Sequence, residues 1–247
     1  MKRRNYSAHT VKNYMNTLKH FVVWLDVPIE QVTNKKVLAY IDYLLDKRLS
    51  PKSINCHLGS IRGFYDYLHH EDGLELTNPV KRGYLLRLPR PLPRHLKDEE
   101  VLKLFEVIKS RRDRAMFMLM LRCGLRVEEV VGLALGDIDL RRARIIVQKG
   151  KGSKGRVVYV SNDAHQALVA YLKARPASRA RKLFLVEKGT MRAQPISVRG
   201  IQKRMESYTR QAGLKVSCHD LRHHANCRIM PTPLDCLSHI TVIPIFF

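Results

Sequence analysis

Gly124-Leu125-Arg126-Val127-Glu128-Glu129-Val130-Val131-Gly132-Leu133 is the stretch on which the reading of this chain turns. It reads as the start of a helix with an arginine three residues ahead of a glutamate. Two further basic stretches follow in order, Lys149-Gly150-Lys151-Gly152 and His219-Asp220-Leu221-Arg222. Each fragment is common alone, so the argument rests on finding all three in order and in suitable local structure.

Upstream of this stretch the pattern is helical. Arg112 to Arg122 is apolar through Ala115, Met116, Met118, Leu119 and Leu121, which predicts a buried helix with methionines filling gaps in a core. Before it, Lys97-Asp98-Glu99-Glu100 opens a helix with acidic residues at its N-terminus and Val101, Leu104, Phe105 and Ile108 on one face. Leu88 to Pro93 reads Leu-Pro-Arg-Pro-Leu-Pro, which cannot continue a helix because proline lacks the amide donor. This predicts a linker over 88–96 between a first domain over 1–87 and a second over 97–247. The first domain carries three helical patterns: Ser7 to Leu25, Thr33 to about Lys47, and Ser50-Pro51 through Leu68. Trp24 and Phe64 lie on their apolar stripes and read as core rather than as base-stacking residues.

Downstream, the period changes. Arg144-Ile145-Ile146-Val147 and Val157-Val158-Tyr159-Val160 flank a Gly- and Lys-rich turn, the pattern of a β-hairpin. Helices resume after Asn162-Asp163, which reads as a cap, and again from Ser197 through Ile201, Met205 and Tyr208 to Gly213. The expected fold class is therefore mainly α, with a helical first domain and a mixed α+β second domain containing a small antiparallel sheet.

Composition narrows the partner. The chain has 247 residues, 45 Lys and Arg against 22 Asp and Glu, and a formal charge of +23. Residues 1–90 carry 15 basic and 8 acidic residues, leaving 30 and 14 for the remainder, so the excess covers both domains. Such a surface favours a polyanion through phosphate neutralisation and counterion release, and nucleic acid comes first. Five irregularly spaced cysteines do not form a disulfide framework, and no signal peptide or membrane span is legible. The expected location is the cytoplasm, in association with the nucleoid and away from membranes.

Cleaving a phosphodiester without a metal sets the chemistry these residues must supply. Charge on the non-bridging oxygens calls for fixed donors, and arginine pairs with phosphate through a planar fork that stays protonated. The departing oxygen needs a proton, which a lysine at a hairpin tip can deliver, and a histidine can move protons or hold an oxygen. Arg126, Arg222, Lys151 and His219 are the candidates, with Lys149 or Lys154 able to replace Lys151.

The Gly124–Leu133 stretch, the Lys-Gly hairpin and His219-Asp220-Leu221-Arg222-His223 together resemble the tyrosine recombinase (phage integrase) family, especially its Xer-like and integron-integrase-like branches. The resemblance runs from about residue 5 to His223. It implies a SAM-like core-binding domain, then a catalytic domain that breaks and rejoins DNA strands through a 3′-phosphotyrosyl link, for site-specific recombination or integration. It further implies double-stranded DNA as partner, self-association or assembly with intact recombinase protomers on DNA, and no cofactor or metal. On the matching positions Arg126 and Arg222 are catalytic arginines, Glu129 supports Arg126, Lys151 is the hairpin lysine, and His219 belongs to the His-x-x-Arg pair.

After His223 the resemblance breaks. The family continues with a Leu-Gly-His motif and a helix bearing the nucleophilic tyrosine, whereas this sequence runs through Pro231 and Pro233 to Phe247 with no tyrosine after Tyr208. The expectation is a catalytic domain aberrant from about 224 and incomplete, with no nucleophile, hence impaired in cleavage by itself. Tyr208 and Tyr159 read as structural. Three alternatives stand beside this reading: a non-catalytic DNA-binding factor that occupies recombination sites or assembles onto intact recombinases, a basic nucleic-acid scaffold whose motifs are accidental, and a zinc site from His223, Cys227, Cys236 and His239, which lacks the closely spaced cysteine pair that usually nucleates one.

Overall fold

The computed structural model describes residues 6, 8–71, 76–89, 96–148 and 155–228. The chain forms two compact units, residues 1–91 and 92–247.

The first unit is built from α1 (Ala8–Trp24), α2 (Asn34–Asp46) and α3 (Pro51–Glu71). Its core comprises Phe21, Val37, Tyr40, Leu44, Ile54, Leu58, Ile61 and Tyr65, with Trp24 and Phe64 half-buried against it. Thr33 caps α2 through its side chain, which accepts from the Lys36 amide, and Pro51 opens α3 at the position where its missing N–H costs nothing. The chain after α3 is tied back by Asn55, whose amide donates to the Leu86 carbonyl and accepts from the Leu86 N–H, both at 2.9 Å.

The second unit contains α4 (Asp98–Val107), α5 (Arg111–Cys123), α6 (Val127–Gly132), β1 (Ile138–Asp139), β2 (Arg144–Val147), β3 (Arg156–Tyr159), α7 (Asn162–Ala174), α8 (Val198–Gln211) and α9 (Cys218–Arg228). Helix α5 is the axis of the core, buried from Ala115 through Leu121 and packed against α7 and α9. It ends at Gly124, which takes a left-handed conformation (φ 61°) that a residue with a Cβ adopts only at a cost. That turn sets the direction in which Leu125 enters the core and Arg126 leaves it.

The sheet is three-stranded and antiparallel in the order β1-β2-β3, with Val147 opposite Arg156 and Ile145 opposite Val158. The strand β1 escapes a reading by alternation because it is two residues long. The second hairpin strand begins at Arg156 and releases Val160, whose N–H goes to the Ala143 carbonyl. Asp137 fixes the base of the hairpin by accepting from Gln148 Nε2 at 2.8 Å and from the Ala134 amide at 2.8 Å. Helix α7 starts one residue after Ser161, while Asp163 accepts from the Ala164 amide and Arg122. Helix α9 continues through the point where the composition shifts. His224 is buried there, and its Nδ1 donates to the Leu96 carbonyl at 3.1 Å. No helix among the described residues is long and apolar enough to cross a membrane.

Candidate active site

Arg126 is the N-cap residue of α6 and Glu129 is the third residue inside it. The Glu129 carboxylate reaches back to accept from the Arg126 amide at 2.8 Å, satisfying one of the free donors of the helix start. It also accepts from Arg126 Nη1 at 3.0 Å. The sequence motif is thus a folding signal and a charge pair at once.

Two further arginines converge on the same carboxylate. Arg156, at the start of β3, makes a bidentate pair with Glu129 at 2.8 and 2.7 Å. Arg222, from α9, places Nη1 3.6 Å from Glu129 Oε2, beyond hydrogen-bond length. A carboxylate has about four lone-pair sites, and here the Arg126 amide, Arg126 Nη1 and both Arg156 nitrogens occupy them. Arg222 Nη1 is left buried with no hydrogen-bond partner.

Electrostatics follow from that count. Burial pushes the Glu129 carboxyl up, but hydrogen bonds from Arg156 and from the Arg126 backbone outweigh it and hold the pKa at about 2. The Arg222 pKa is lowered too, but for a cation this disfavours the charged form: burial, then the neighbouring Arg126 and Arg156, lower it, only partly offset by Glu129. Three guanidinium groups face one carboxylate. The cluster carries more positive charge than it neutralises.

A cavity of about 520 Å³ opens on this cluster, lined by Arg126, His219 and Arg222 together with Arg199, Gln202 and Glu206 of α8. Four of the five residues expected from the sequence are thereby located: Arg126, Glu129 and Arg222 in one ion-pair cluster, and His219 beside it on the cavity wall. His219 Nε2 lies 3.0 Å from His223 Nε2. Lys151, and the alternatives Lys149 and Lys154, lie outside the described residues. So do Cys236 and His239 of the zinc alternative, and no cluster of three or more potential metal ligands occurs among the described residues.

Sequence reasoning missed Arg156. Its signal was available in parity: across the hairpin Arg156 pairs with the buried Val147, so it lies on the inward face with Val158, while Val157 and Tyr159 face out. An arginine on the inward face of a strand calls for a buried acid.

The tyrosines are placed clearly. Tyr208 is buried on α8 and donates to Asp113 Oδ2 at 2.9 Å while accepting from Arg204 Nη2 at 2.6 Å. Its hydroxyl ties α8 to Asp113 of α5. Tyr159 stands on the outer face of β3, 72% exposed.

Comparison with known proteins agrees with this architecture. Residues 94–234 match the phage integrase family and residues 1–72 match the phage integrase N-terminal SAM-like domain. The chain is 32% identical to tyrosine recombinase XerC of Thermodesulfovibrio yellowstonii over 228 residues, covering 88% of this chain and 75% of that one. The fold is shared with the Tn1549 transposon integrase in complex with transposon right end DNA, at a TM-score of 0.77 and 19% identity over 92% of this chain and 83% of that one. It is also shared with a lambda integrase tetramer bound to a Holliday junction, at a TM-score of 0.70 and 19% identity over 89% of this chain and 64% of that one.

Proposed function

The chain belongs to the phage integrase family, among the tyrosine recombinases, and from that premise we propose that its second unit grips one phosphodiester of duplex DNA in the cavity beside Glu129. The observation that carries the reading is the buried Nη1 of Arg222, which has no hydrogen-bond partner although it lies 3.6 Å from a carboxylate whose acceptor sites are full. A buried charged donor without an acceptor is costly. A phosphate oxygen removes that cost, and its negative charge meets the surplus of the cluster.

In this reading Arg126 and Arg222 hold the non-bridging oxygens. Glu129 and Arg156 keep Arg126 in place, His219 holds an oxygen or moves a proton, and Lys151 protonates the departing oxygen. Both units contact the duplex, in keeping with the basic excess on each. The DNA-bound Tn1549 integrase and the lambda integrase tetramer support DNA as partner and assembly of several copies on it.

The finer part of the proposal concerns the nucleophile. Tyr208 is committed to Asp113 and Arg204, and no tyrosine follows it in the sequence. These 247 residues therefore bind and orient the phosphate, and the covalent step waits on a tyrosine that is not among them. The same observation favours the second reading, a DNA-binding factor that occupies recombination sites or assembles with intact recombinases.

Two measurements test the proposal. Fluorescence anisotropy of a duplex across a salt series is expected to show binding that weakens steeply with salt, and a flat response would overturn phosphate gripping. On a nicked suicide substrate the chain is expected to give no covalent adduct. Fusing the C-terminal segment of an intact relative after Arg222 should produce one, and changing the tyrosine in that segment to Phe should remove it again. An adduct formed by the unmodified chain and mapped to Tyr208 or Tyr159 would overturn the assignment of the nucleophile.

A further inference from the structure

We propose that His223 is a positioning residue that sets the tautomer of His219, so that His219 offers Nδ1–H to a phosphate oxygen. The inference rests on the proposed phosphate site and adds to it a residue outside the cluster around Glu129.

His219 and His223 sit one turn apart on α9, with Arg222 between them in sequence, so the three side chains share one stretch of the helix surface. The two imidazoles meet edge to face with ring centroids 4.3 Å apart, and the two Nε2 atoms are 3.0 Å apart. At that distance one Nε2 carries a hydrogen and the other is bare, because two N–H groups or two lone pairs would repel. The bond a ring makes through one nitrogen fixes where its proton sits.

His219 lines the cavity with Arg126 and Arg222, whereas its Nε2 is engaged by His223. Nδ1 is therefore the ring nitrogen left for a ligand. Of the two arrangements only one is preorganised for a phosphodiester, since its non-bridging oxygens accept hydrogen bonds and do not donate them. A bare Nδ1 facing such an oxygen would repel it. The arrangement that fits has His223 Nε2–H donating to His219 Nε2, with the His219 proton on Nδ1. His223 acts through His219 and does not itself touch the phosphate.

The test is a long-range ¹H–¹⁵N spectrum of the full chain with ¹⁵N-labelled histidine, recorded without DNA. The expected wild-type signature is a protonated Nδ1 and a bare Nε2 on His219, with a ¹⁵N–¹⁵N coupling across the hydrogen bond between the two Nε2 atoms. In His223→Phe, which keeps a ring but offers no N–H, His219 is expected to move its proton to Nε2. In His223→Gln the amide N–H is expected to restore the Nδ1-protonated form. A wild-type His219 protonated on Nε2, or absence of the coupling, would overturn the proposal whether or not the variants fold. So would a folded His223→Phe whose His219 keeps the wild-type pattern. A wild-type chain that shows the signature yet binds duplex with no salt dependence would sink the phosphate site and leave the histidine pair intact.

Discussion

Two buried carboxylates in the second unit, Asp113 and Glu129, each gather arginines, and they do so with opposite outcomes. Asp113 is fully buried near the start of α5, where it takes Arg112 Nε at 2.8 Å, Arg204 Nε at 2.7 Å and the Tyr208 hydroxyl at 2.9 Å. Arg112 also brings Nη2 to Asp113 Oδ1 at 2.7 Å and donates Nη1 to the Leu185 carbonyl at 3.0 Å, and Arg204 reaches Tyr208 as well as Asp113. Glu129 is equally saturated, but a third arginine stands beside it with a buried nitrogen unmatched. Burial lowers the pKa of Arg204, yet Asp113 outweighs this and raises it overall, whereas the pKa of Arg222 stays lowered by burial and by Arg126. The difference separates a device that joins helices from a cluster that, in the proposed reading, a phosphate completes. Where every donor finds an acceptor, the cluster serves the fold; where one has none, the fold carries a cost, which the proposed phosphate would remove.

The largest expected effect is on the Asp113 side. Asp113→Ala leaves Arg112, only 7% exposed, without its counter-charge, and breaking a buried ion pair in this way costs roughly 3–5 kcal/mol. Urea unfolding of the second unit should show that loss, while the folded fraction binds duplex as before. A loss near zero would mean that the Asp113 cluster is not what ties α8 to α5.

The Glu129 cluster should show its own signature in acid. A carboxyl held at about 2 in the fold, against an ordinary 4.5, stabilises the folded state above the ordinary value. That contribution is lost as pH falls from 4.5 toward 2, and it amounts to about 3 kcal/mol. Unfolding free energies across this window should fall more steeply for the wild-type chain than for Glu129→Gln. Parallel curves would remove Glu129 as the titrating group.

A smaller effect is expected for Tyr208→Phe, which deletes one hydroxyl between Asp113 and Arg204. The loss should be about 1 kcal/mol by urea titration. Salt-dependent DNA binding should be untouched. A change in DNA binding without a change in stability would place Tyr208 at the ligand.

The two clusters also differ in how much of them the sequence discloses. Arg126 and Glu129 are legible because a three-residue spacing at a helix start brings a glutamate back to the first amide, and His219 with Arg222 because three residues make one helical turn. Arg156 was passed over because a four-residue strand is too short for its alternation to be noticed without its partner's register. The Asp113 cluster was illegible for a different reason. Asp113 reads as an ordinary acid in a first helical turn, and its partners Arg204 and Tyr208 lie 91 and 95 residues away. Local periodicity gives the elements, since each is set by neighbours in sequence, but it does not say which polar side chains meet across the core.

Arg222→Met is the measurement that bears most directly on the central claim, that one arginine is held unmatched for a phosphate. Methionine keeps an unbranched, largely apolar stem while removing the buried charge. The unfolding free energy is expected to stay within about 1 kcal/mol of wild type or to rise, because the lost group was desolvated and beside two like charges. In the same protein, the slope of log binding constant against log salt for a duplex is expected to become shallower by about one, as for the loss of one phosphate contact. A destabilised protein whose salt slope is unchanged would contradict the account, since Arg222 would then serve the fold as Arg112 does.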